Sequence, residues 1–484
     1  MNIPLRRVAL VCGALLFSLL ANITYLQTLG VRRFGADPRD QRALLARFAH
    51  PRGDILTYDG RTIVRSRPSR RGPYEYRRVY TNGEMYAPVT GHIALHQATG
   101  VEQAENGVLS GDDPKVRMRR LINDGDAGGA DVRLTIRERV QWAAYQGLRS
   151  TGRPGAAVAV DPATGAILAL ASYPSYDPGA YSTLNADRLV RVDQRLSHDP
   201  SRPLLNRALE RSYPPGSAFT VVTAAAALAS GEYTPVSRVV APGRLPLPGG
   251  SRHLSNPGGR PCGDGTVALS RAFRGSCDTA FAGLGLHLGQ DALRAQAEAF
   301  GFGADDLAVP LRAVPSTFPA GLDRAGTALT ATGRHLVRAT PLMVAMLSAA
   351  VANEGVLMRP YLVQDVRLPD GSIINRADAS PYRVTLAAPD ARQLAAMMAA
   401  VTRPGGAGEA IAIPGVEVAA GSAPAALPGV EPAAAGSLRD QAVLTAFAPA
   451  DVPEVAVGVV LEQAPPDDPS AAAIARAILQ AALS

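Results

Sequence analysis

The stretch from Tyr213 to Leu228, YPPGSAFTVVTAAAAL, constrains the fold of this chain more than any other. Two prolines and a glycine punctuate its start, and from Phe219 apolar and small residues follow without a break. This pattern predicts a turn that leads into the N-terminus of a buried helix. With 484 residues, the chain is long enough to form two or three domains with a core that encloses such a helix.

Ser217 lies at the start of this predicted helix, and the stretch alone leaves two interpretations open. Serine is among the most common N-cap residues, because its hydroxyl accepts a hydrogen bond from an unpaired amide of the first turn. A serine in the partial positive field of a helix N-terminus is also well placed as a nucleophile that becomes acylated. Other parts of the chain have to decide between these roles.

The composition indicates a folded chain, with 47% hydrophobic and 19% charged residues. The formal net charge of +7 is spread without a long basic run. It indicates weak attraction to anionic lipid headgroups or wall polymers, and nucleic acid is not an expected partner. Lys115 is the only lysine among the 49 lysine and arginine residues.

The N-terminus has the pattern of a membrane anchor. Residues 1–7 form a short basic head, and Val8 to Leu29 carry no charge over a length that would cross a bilayer as a helix. The apolar part is long for a signal peptide and no small-residue cleavage site follows, which favours an uncleaved signal anchor over residues 8–30. We therefore expect a single-pass protein of the cell membrane whose C-terminal domains are extracytoplasmic.

Cys262 and Cys277 are the only cysteines outside this apolar segment. In an oxidising, extracytoplasmic location they predict a disulfide, with two buried free thiols as the alternative. The histidines are scattered and no metal-type cysteine or histidine spacing occurs. We expect neither a metal nor a cofactor.

The remaining patterns predict an α+β fold. A polar, arginine-rich region with short apolar runs extends to about Gly152, as in a small mixed domain. From Ala157, apolar residues on both sides of a Pro-Ala-Thr-Gly turn predict a β-hairpin. Alanine-rich helices around 340–354 and 390–402, three strand-like runs and a helix over 471–483 follow. This layout is typical of an antiparallel sheet flanked by helices.

An ordered series of motifs extends over nearly the whole chain. In order, they read RGDIL, YAPVTGH, GVEQAEN, VRLTI, AVDPATGAILALASYPSYDP, NRALERSYPPGSAF, SCDTAF, ATPLMVAML and FAPADVPEVAV. The series resembles the class B penicillin-binding proteins, with the penicillin-binding protein A group of actinobacteria as the nearest branch. The resemblance implies a pedestal domain over 31–152. Over 153–484 it implies a penicillin-binding transpeptidase domain, similar to serine β-lactamases, that cross-links peptidoglycan stem peptides.

The resemblance also locates the active-site motifs of that family, and this chain departs from the first two. In Ser-x-x-Lys the lysine takes the proton of the serine; here the serine is Ser217 and the lysine position holds Thr220. Ser-x-Asn corresponds to Ser276, Cys277 and Asp278, so the amide has become a carboxyl. An ionised carboxyl near the nucleophile would oppose formation of the alkoxide.

The third motif, Lys-Thr-Gly, falls on Gly421, Ser422 and Ala423, so the lysine that would bind the substrate carboxylate is also missing. Pro424 follows, where it cannot donate a backbone hydrogen bond. The region 153–484 contains no lysine at all. Arginine cannot serve as the base, because its guanidinium stays protonated, and loss of a positioned base removes about 10² to 10⁴ in rate.

Three functions are compatible with these departures. The favoured hypothesis is an inactive pseudotranspeptidase that keeps the fold and acts as a binding or regulatory partner of cell-wall or division proteins. The first alternative is an active D,D-transpeptidase acylated on Ser217, with a substitute base such as a carboxylate that acts through water. The second alternative is a decaying paralogue. Peptidoglycan stem peptides remain candidate ligands, whereas β-lactam binding is not favoured.

Overall fold

The computed structural model describes residues 3–25, 48–69, 74–122, 128–256, 259–307, 309–421, 441–464 and 468–484. The N-terminal residues 3–25 form a helix. Within the described ranges, no helix is both long and apolar enough to cross a membrane. The signal anchor predicted over 8–30 stays a prediction, and its last residues, 26–30, lie outside the described ranges.

The secondary structure alternates between short strands and helices. The strands are β1 Ile55–Leu56, β2 Thr62–Pro68, β3 Tyr76–Tyr80, β4 Asp131–Leu134, β5 Gly155–Val160, β6 Ile167–Tyr173, β7 Arg238–Val240, β8 Arg244–Pro246, β9 His253–Ser255, β10 Thr266–Ala268, β11 Val356–Met358, β12 Val363–Arg367, β13 Ile373–Arg376, β14 Pro381–Val384, β15 Ala419–Ala420, β16 Gln441–Ala448 and β17 Val455–Glu462. The helices are α1 Ile3–Tyr25, α2 Gly83–Thr90, α3 Gly100–Ala104, α4 Asn106–Ser110, α5 Pro114–Ile122, α6 Glu138–Thr151, α7 Ala186–Ser197, α8 Arg207–Glu210, α9 Thr220–Ala229, α10 Leu269–Arg274, α11 Asp278–Ala299, α12 Arg324–Ala331, α13 Pro341–Ala352, α14 Ala388–Thr402 and α15 Pro469–Leu483. Short 3-10 turns cover Pro178–Ser182, Gly216–Phe219 and Glu409–Ile411.

A five-stranded antiparallel sheet forms the centre of the C-terminal region, in the order β15-β16-β17-β5-β6. All eight residues of β17 are buried, so both of its faces are covered. Helix α13 crosses it at Gly458, where a Cβ atom would lie 2.4 Å from the backbone nitrogen of Ala345. Only glycine permits this approach, which brings a helix directly onto the sheet.

A second, six-stranded sheet lies toward the N-terminus, in the order β13-β12-β4-β1-β2-β3. Strands β1 and β4 are parallel and the other neighbours are antiparallel. Two of its strands, β12 and β13, come from residues 363–376, far along the chain. This sheet, which we call the N-terminal sheet, therefore ties the beginning of the described chain to its later part.

The structure confirms the predicted α+β class with an antiparallel sheet and flanking helices. The predicted hairpin is β5 and β6, which pair around the turn at residues 161–165. Within the stretch from Tyr213 to Leu228, residues from Thr220 onward form helix α9, of which only the last residue, Ala229, is exposed. The boundaries at residues 31, 152 and 153 stay a prediction.

Candidate active site

Ser217 lies in the 3-10 turn Gly216–Phe219, immediately before helix α9. The N-cap positions of the turn and of the helix are Pro215 and Phe219. The N-cap interpretation of Ser217 is therefore wrong, because a 3-10 turn precedes the α-helix and shifts its first free amides away from the serine. Ser217 is 7% exposed, so its hydroxyl lies at the edge of the core.

A second loop contacts the Ser217 turn from the side of α12. Gly216 N donates a hydrogen bond to the carbonyl of Gly333 at 3.0 Å. A Cβ atom on Gly333 would lie 2.0 Å from the carbonyl oxygen of Gly216, and Gly333 has a φ of 72°, so glycine is required there. This contact packs the loop that carries the next residue, Arg334, against the Ser217 turn.

The chain upstream of Ser217 is fixed by a buried ionic cluster at the end of β17. Tyr213 exchanges backbone hydrogen bonds with Ala339 at 2.8 Å in both directions, and its hydroxyl donates to Glu462 at 2.8 Å. Glu462 also accepts from Arg207 and Arg211, at 3.1 and 3.0 Å. Burial raises the pKa of Tyr213, followed by the charge of Glu462. The cluster holds the turn rigidly against the central sheet.

Thr220 is the residue that the sequence resemblance aligns with a catalytic lysine, and this alignment stays a prediction. It is 5% exposed, and its hydroxyl donates to the carbonyl of Ser217 at 2.6 Å and lies 3.4 Å from the carbonyl of Gly421. The hydroxyl proton of Thr220 is therefore engaged in a hydrogen bond to the backbone. Thr220 joins the serine turn to the edge of the central sheet, but it has no basic lone pair that could take the serine proton.

Gly421 directly follows the short edge strand β15 and donates its backbone N–H to the carbonyl of Thr445 at 2.9 Å. A Cβ atom there would lie 2.4 Å from Cγ2 of Val221 in α9, so the strand end lies tightly against the helix. Ser422 and Ala423, the other members of the predicted third motif, lie outside the described residues.

Ser276, Cys277 and Asp278 form the junction between α10 and α11. Ser276 has a φ of 52° and is 8% exposed. Cys277 forms a disulfide with Cys262, with their Cα atoms 6.4 Å apart. The disulfide and the positive φ fix the direction in which the following helix starts, so the first residue of that helix is placed reproducibly.

Asp278 is that first helical residue, and it carries the only charge in the motif. Its carboxyl is 1% exposed, and both of its oxygens accept from Nη2 of Arg334 at 3.1 Å. Burial raises the pKa of Asp278, while the charge of Arg334 acts in the opposite direction. From the sequence, we expected the Asp278 carboxylate to oppose an alkoxide at Ser217. In the structure, this carboxylate forms an ion pair with Arg334.

The described residues bring two groups of predicted site residues together. Ser217, Thr220 and Gly421 form one group, joined through the hydroxyl of Thr220. Asp278 forms the second with Arg334, which the Gly333 contact links to the serine turn. Among the described hydrogen bonds, none joins Ser217 to a group that could act as a base.

Sequence reasoning missed Arg334 and Glu462. Arg334 follows a glycine with a positive φ, which is a turn signal, but nothing in the sequence shows that this turn packs against Ser217. Glu462 ends an apolar strand, and a buried carboxylate there needs partners that only the fold supplies. No group of three or more histidine, cysteine or acidic side chains suited to a metal occurs in the described part of the chain.

The antiparallel sheet, the buried helix and the serine turn at its N-terminus define a penicillin-binding transpeptidase class of domain. The penicillin binding protein transpeptidase domain matches residues 155–480, and the penicillin binding protein A dimerisation domain matches residues 52–132. The chain therefore belongs to the penicillin-binding protein family of peptidoglycan D,D-transpeptidases, as a penicillin-binding protein A-like member.

Curated relatives and solved structures agree with this assignment. The peptidoglycan D,D-transpeptidase PbpA of Mycolicibacterium smegmatis is 40% identical over 96% of this chain and 94% of its own length. PbpA of Mycobacterium tuberculosis is 39% identical over 100% of this chain and 99% of its own length. The imipenem acyl-enzyme complex of M. tuberculosis penicillin-binding protein A has a TM-score of 0.83 at 38% identity, and covers 91% of this chain and 100% of that chain.

Proposed function

We propose that this chain is a catalytically impaired pseudotranspeptidase that binds peptidoglycan stem peptides at the Ser217 turn without efficient acyl transfer. In this role it acts as a binding or regulatory partner in cell-wall synthesis or cell division. One observation carries the proposal: the position of the catalytic lysine holds Thr220, whose hydroxyl donates to the backbone at 2.6 Å. Because the only lysine of the chain is Lys115, no other lysine can reach this site from the region 155–480.

The charge of Arg334 supports binding but not catalysis. Arg334 lies beside the serine turn and is 14% exposed, yet its guanidinium cannot accept a proton. The charge can attract the terminal carboxylate of a stem peptide, which is the role of the missing lysine in the third motif. The site therefore keeps an attraction for the substrate and lacks a means to activate the nucleophile.

The location belongs to the same proposal. The uncharged stretch from Val8 to Leu29 supports attachment to the cell membrane, with a pedestal over 31–152 and a transpeptidase-like domain over 153–484. The disulfide between Cys262 and Cys277 supports an extracytoplasmic, oxidising environment for the C-terminal domains.

A second candidate function is an active D,D-transpeptidase that is acylated on Ser217 with a substitute base. The observation that favours it is the burial of the Asp278 carboxyl, which raises its pKa. The ion pair with Arg334 weighs against it, because the guanidinium occupies both carboxyl oxygens. Acylation by substrate separates the two functions.

The test measures binding and turnover of diacetyl-L-Lys-D-Ala-D-Ala by the full chain. We expect saturable binding by calorimetry, with release of D-alanine about 10² to 10⁴ slower than in an active homologue assayed in parallel. The Thr220→Lys variant should gain little, because Asp278 and Gly421 still lack the amide and the second lysine of the family motifs. Circular dichroism serves as the control for folding of the variant.

Rapid release of D-alanine by the parent chain would contradict the proposal and favour the active enzyme. Rapid release of D-alanine by Thr220→Lys alone would show that the departures at the second and third motifs do not limit the rate. Absence of peptide binding by a folded parent chain would remove the stem peptide as the ligand.

A further inference from the structure

We propose that a cavity between the N-terminal sheet region and the transpeptidase region binds a neutral N-acetylated amino sugar of a glycan strand. The cavity has a volume of about 510 Å³, which falls in the usual range for small-molecule sites. Side chains from both matched regions line it, among them His92, Gln103, Tyr176, Asn206 and Glu210. No residue of the Ser217 turn contributes to its walls, so this is a separate site.

Asn206 provides the strongest indication of a ligand. Its Nδ2 donates to the carbonyl of Pro88 at 2.8 Å, which fixes the orientation of the amide. Its Oδ1 is buried and has no hydrogen-bond partner among the described residues. A buried acceptor without a partner is costly, and a hydroxyl or amide N–H of a ligand in the cavity would satisfy it.

The His92 ring is a second buried group with unused capacity. It is 3% exposed and stacks on Tyr181 with 3.8 Å between ring centroids, while Nδ1 lies 2.8 Å from the hydroxyl of Tyr176. Its Nε2 is buried without a partner in the described part of the chain. Burial lowers the pKa of His92 to about 4, so the ring is neutral and adds no positive charge to the cavity.

The charges of the lining favour a neutral ligand over an anionic one. Asp193 accepts from the Tyr181 hydroxyl at 3.1 Å, and Glu210 accepts from the backbone N–H of Asn206 at 3.0 Å. Each carboxylate keeps a second oxygen for a ligand, and Arg312 is the single cation in the lining. Acceptors therefore exceed donors, which suits a neutral ligand that carries several hydroxyl and amide hydrogens.

The rest of the lining suits a sugar ring. Apolar side chains, including Pro88, Leu204 and Leu209, offer surface for the C–H face of a pyranose, and the amide of the exposed Gln103 adds a donor at the rim. The choice of an N-acetylated sugar rests on the proposed function, because peptidoglycan strands consist of N-acetylated amino sugars. The binding chemistry itself follows from the lining residues.

The test titrates the full chain with the N-acetylglucosamine tetramer in a calorimeter, and with maltotetraose as the sugar that lacks acetamido groups. We expect saturable binding of the first and none of the second. Asn206→Ala and Gln103→Ala should each weaken binding about tenfold, the effect of one hydrogen bond. Gln480→Ala removes an exposed amide outside the cavity and should bind like the parent.

No saturable binding by the parent, equal binding of both sugars, or unchanged binding by both cavity variants would overturn the proposal. Gln103 is exposed, so its variant keeps the test valid if Asn206→Ala fails to fold. Binding of diacetyl-L-Lys-D-Ala-D-Ala is measured on the same samples. Loss of peptide binding with sugar binding intact would contradict the proposed function alone, and the reverse would contradict the sugar site alone.

Discussion

Replacing Arg334 with leucine should lower the free energy of unfolding by about 3–5 kcal/mol at pH 7.5. The reason is Asp278, whose carboxyl is 1% exposed and accepts from the guanidinium at 3.1 Å through both oxygens. Without Arg334, the carboxylate would stay buried beside the serine turn with its charge uncompensated. Denaturant unfolding of the full chain, parent against variant, measures the difference.

The loss of stability in Arg334→Leu should depend on pH in a definite direction. Burial raises the pKa of Asp278, and Arg334 is the group that opposes the rise, so its removal lets the pKa rise further. A carboxyl with a raised folded-state pKa costs stability once the pH exceeds its unfolded-state pKa. The loss in Arg334→Leu should therefore be smaller at pH 4.5 than at pH 7.5.

Two further variants act as controls. Arg392→Leu removes a 59% exposed guanidinium that pairs with Glu354, and it should change the stability by no more than about 1 kcal/mol. Asp278→Asn, added to Arg334→Leu, should recover much of the loss because it removes the uncompensated charge. If Arg334→Leu is as stable as the Arg392 control, or the double variant is no better than the single one, Asp278 is not held as a buried charge.

Glu102→Gln should also cost about 3–5 kcal/mol, through a buried cluster under the N-terminal sheet. Glu102 has no exposed surface and accepts from Arg52 at 3.0 Å and from Arg78 at 2.7 Å. The two arginine side chains are 3% and 1% exposed, so both cations would lose their only anion in this cluster. Glutamine has nearly the same shape as glutamate. The loss of unfolding free energy therefore measures the effect of removing the negative charge.

At acidic pH, the difference in the free energy of unfolding between the parent and Glu102→Gln should become smaller. Burial acts to raise the pKa of Glu102, but Arg78 and Arg52 outweigh it and hold the pKa below its usual value. The stability from such a carboxylate is present above the unfolded-state pKa and is lost as the pH falls through the folded-state pKa. Asp112→Asn, at an ion pair with 62% and 64% exposed side chains, should stay within about 1 kcal/mol of the parent. An equally small change for Glu102→Gln would refute the buried cluster.

Features with a local cause could be predicted from the sequence. The hairpin of β5 and β6 follows from apolar runs on both sides of a Pro-Ala-Thr-Gly turn, and residues 213–228 indicate a turn followed by an enclosed helix. The assignment of Thr220, Asp278 and Gly421 to degenerate motifs likewise uses fixed spacings from recognisable neighbours, and it stays a prediction. In these cases a few consecutive residues determine the structure.

Features that depend on distant contacts could not be predicted. Arg334 meets Asp278 across 56 positions, and β12 joins β4 across more than two hundred. The N-cap interpretation of Ser217 failed because the chain inserts a 3-10 turn, stabilised by the Gly333 contact, before the α-helix begins. The sequence indicates that a buried charged side chain such as Asp278 needs a partner of opposite charge. Only the fold determines which residue that partner is.

The most direct test of the proposed catalytic impairment is covalent labelling of the full chain with a fluorescent penicillin, beside a Ser217→Ala variant. Penicillin-binding protein A of M. tuberculosis, for which a penicillin G acyl-enzyme complex has been solved, serves as the positive control. We predict no Ser217-dependent band under conditions that label the control protein. A band in the parent that is absent from Ser217→Ala would show that the serine is activated without the lysine, and would contradict the account.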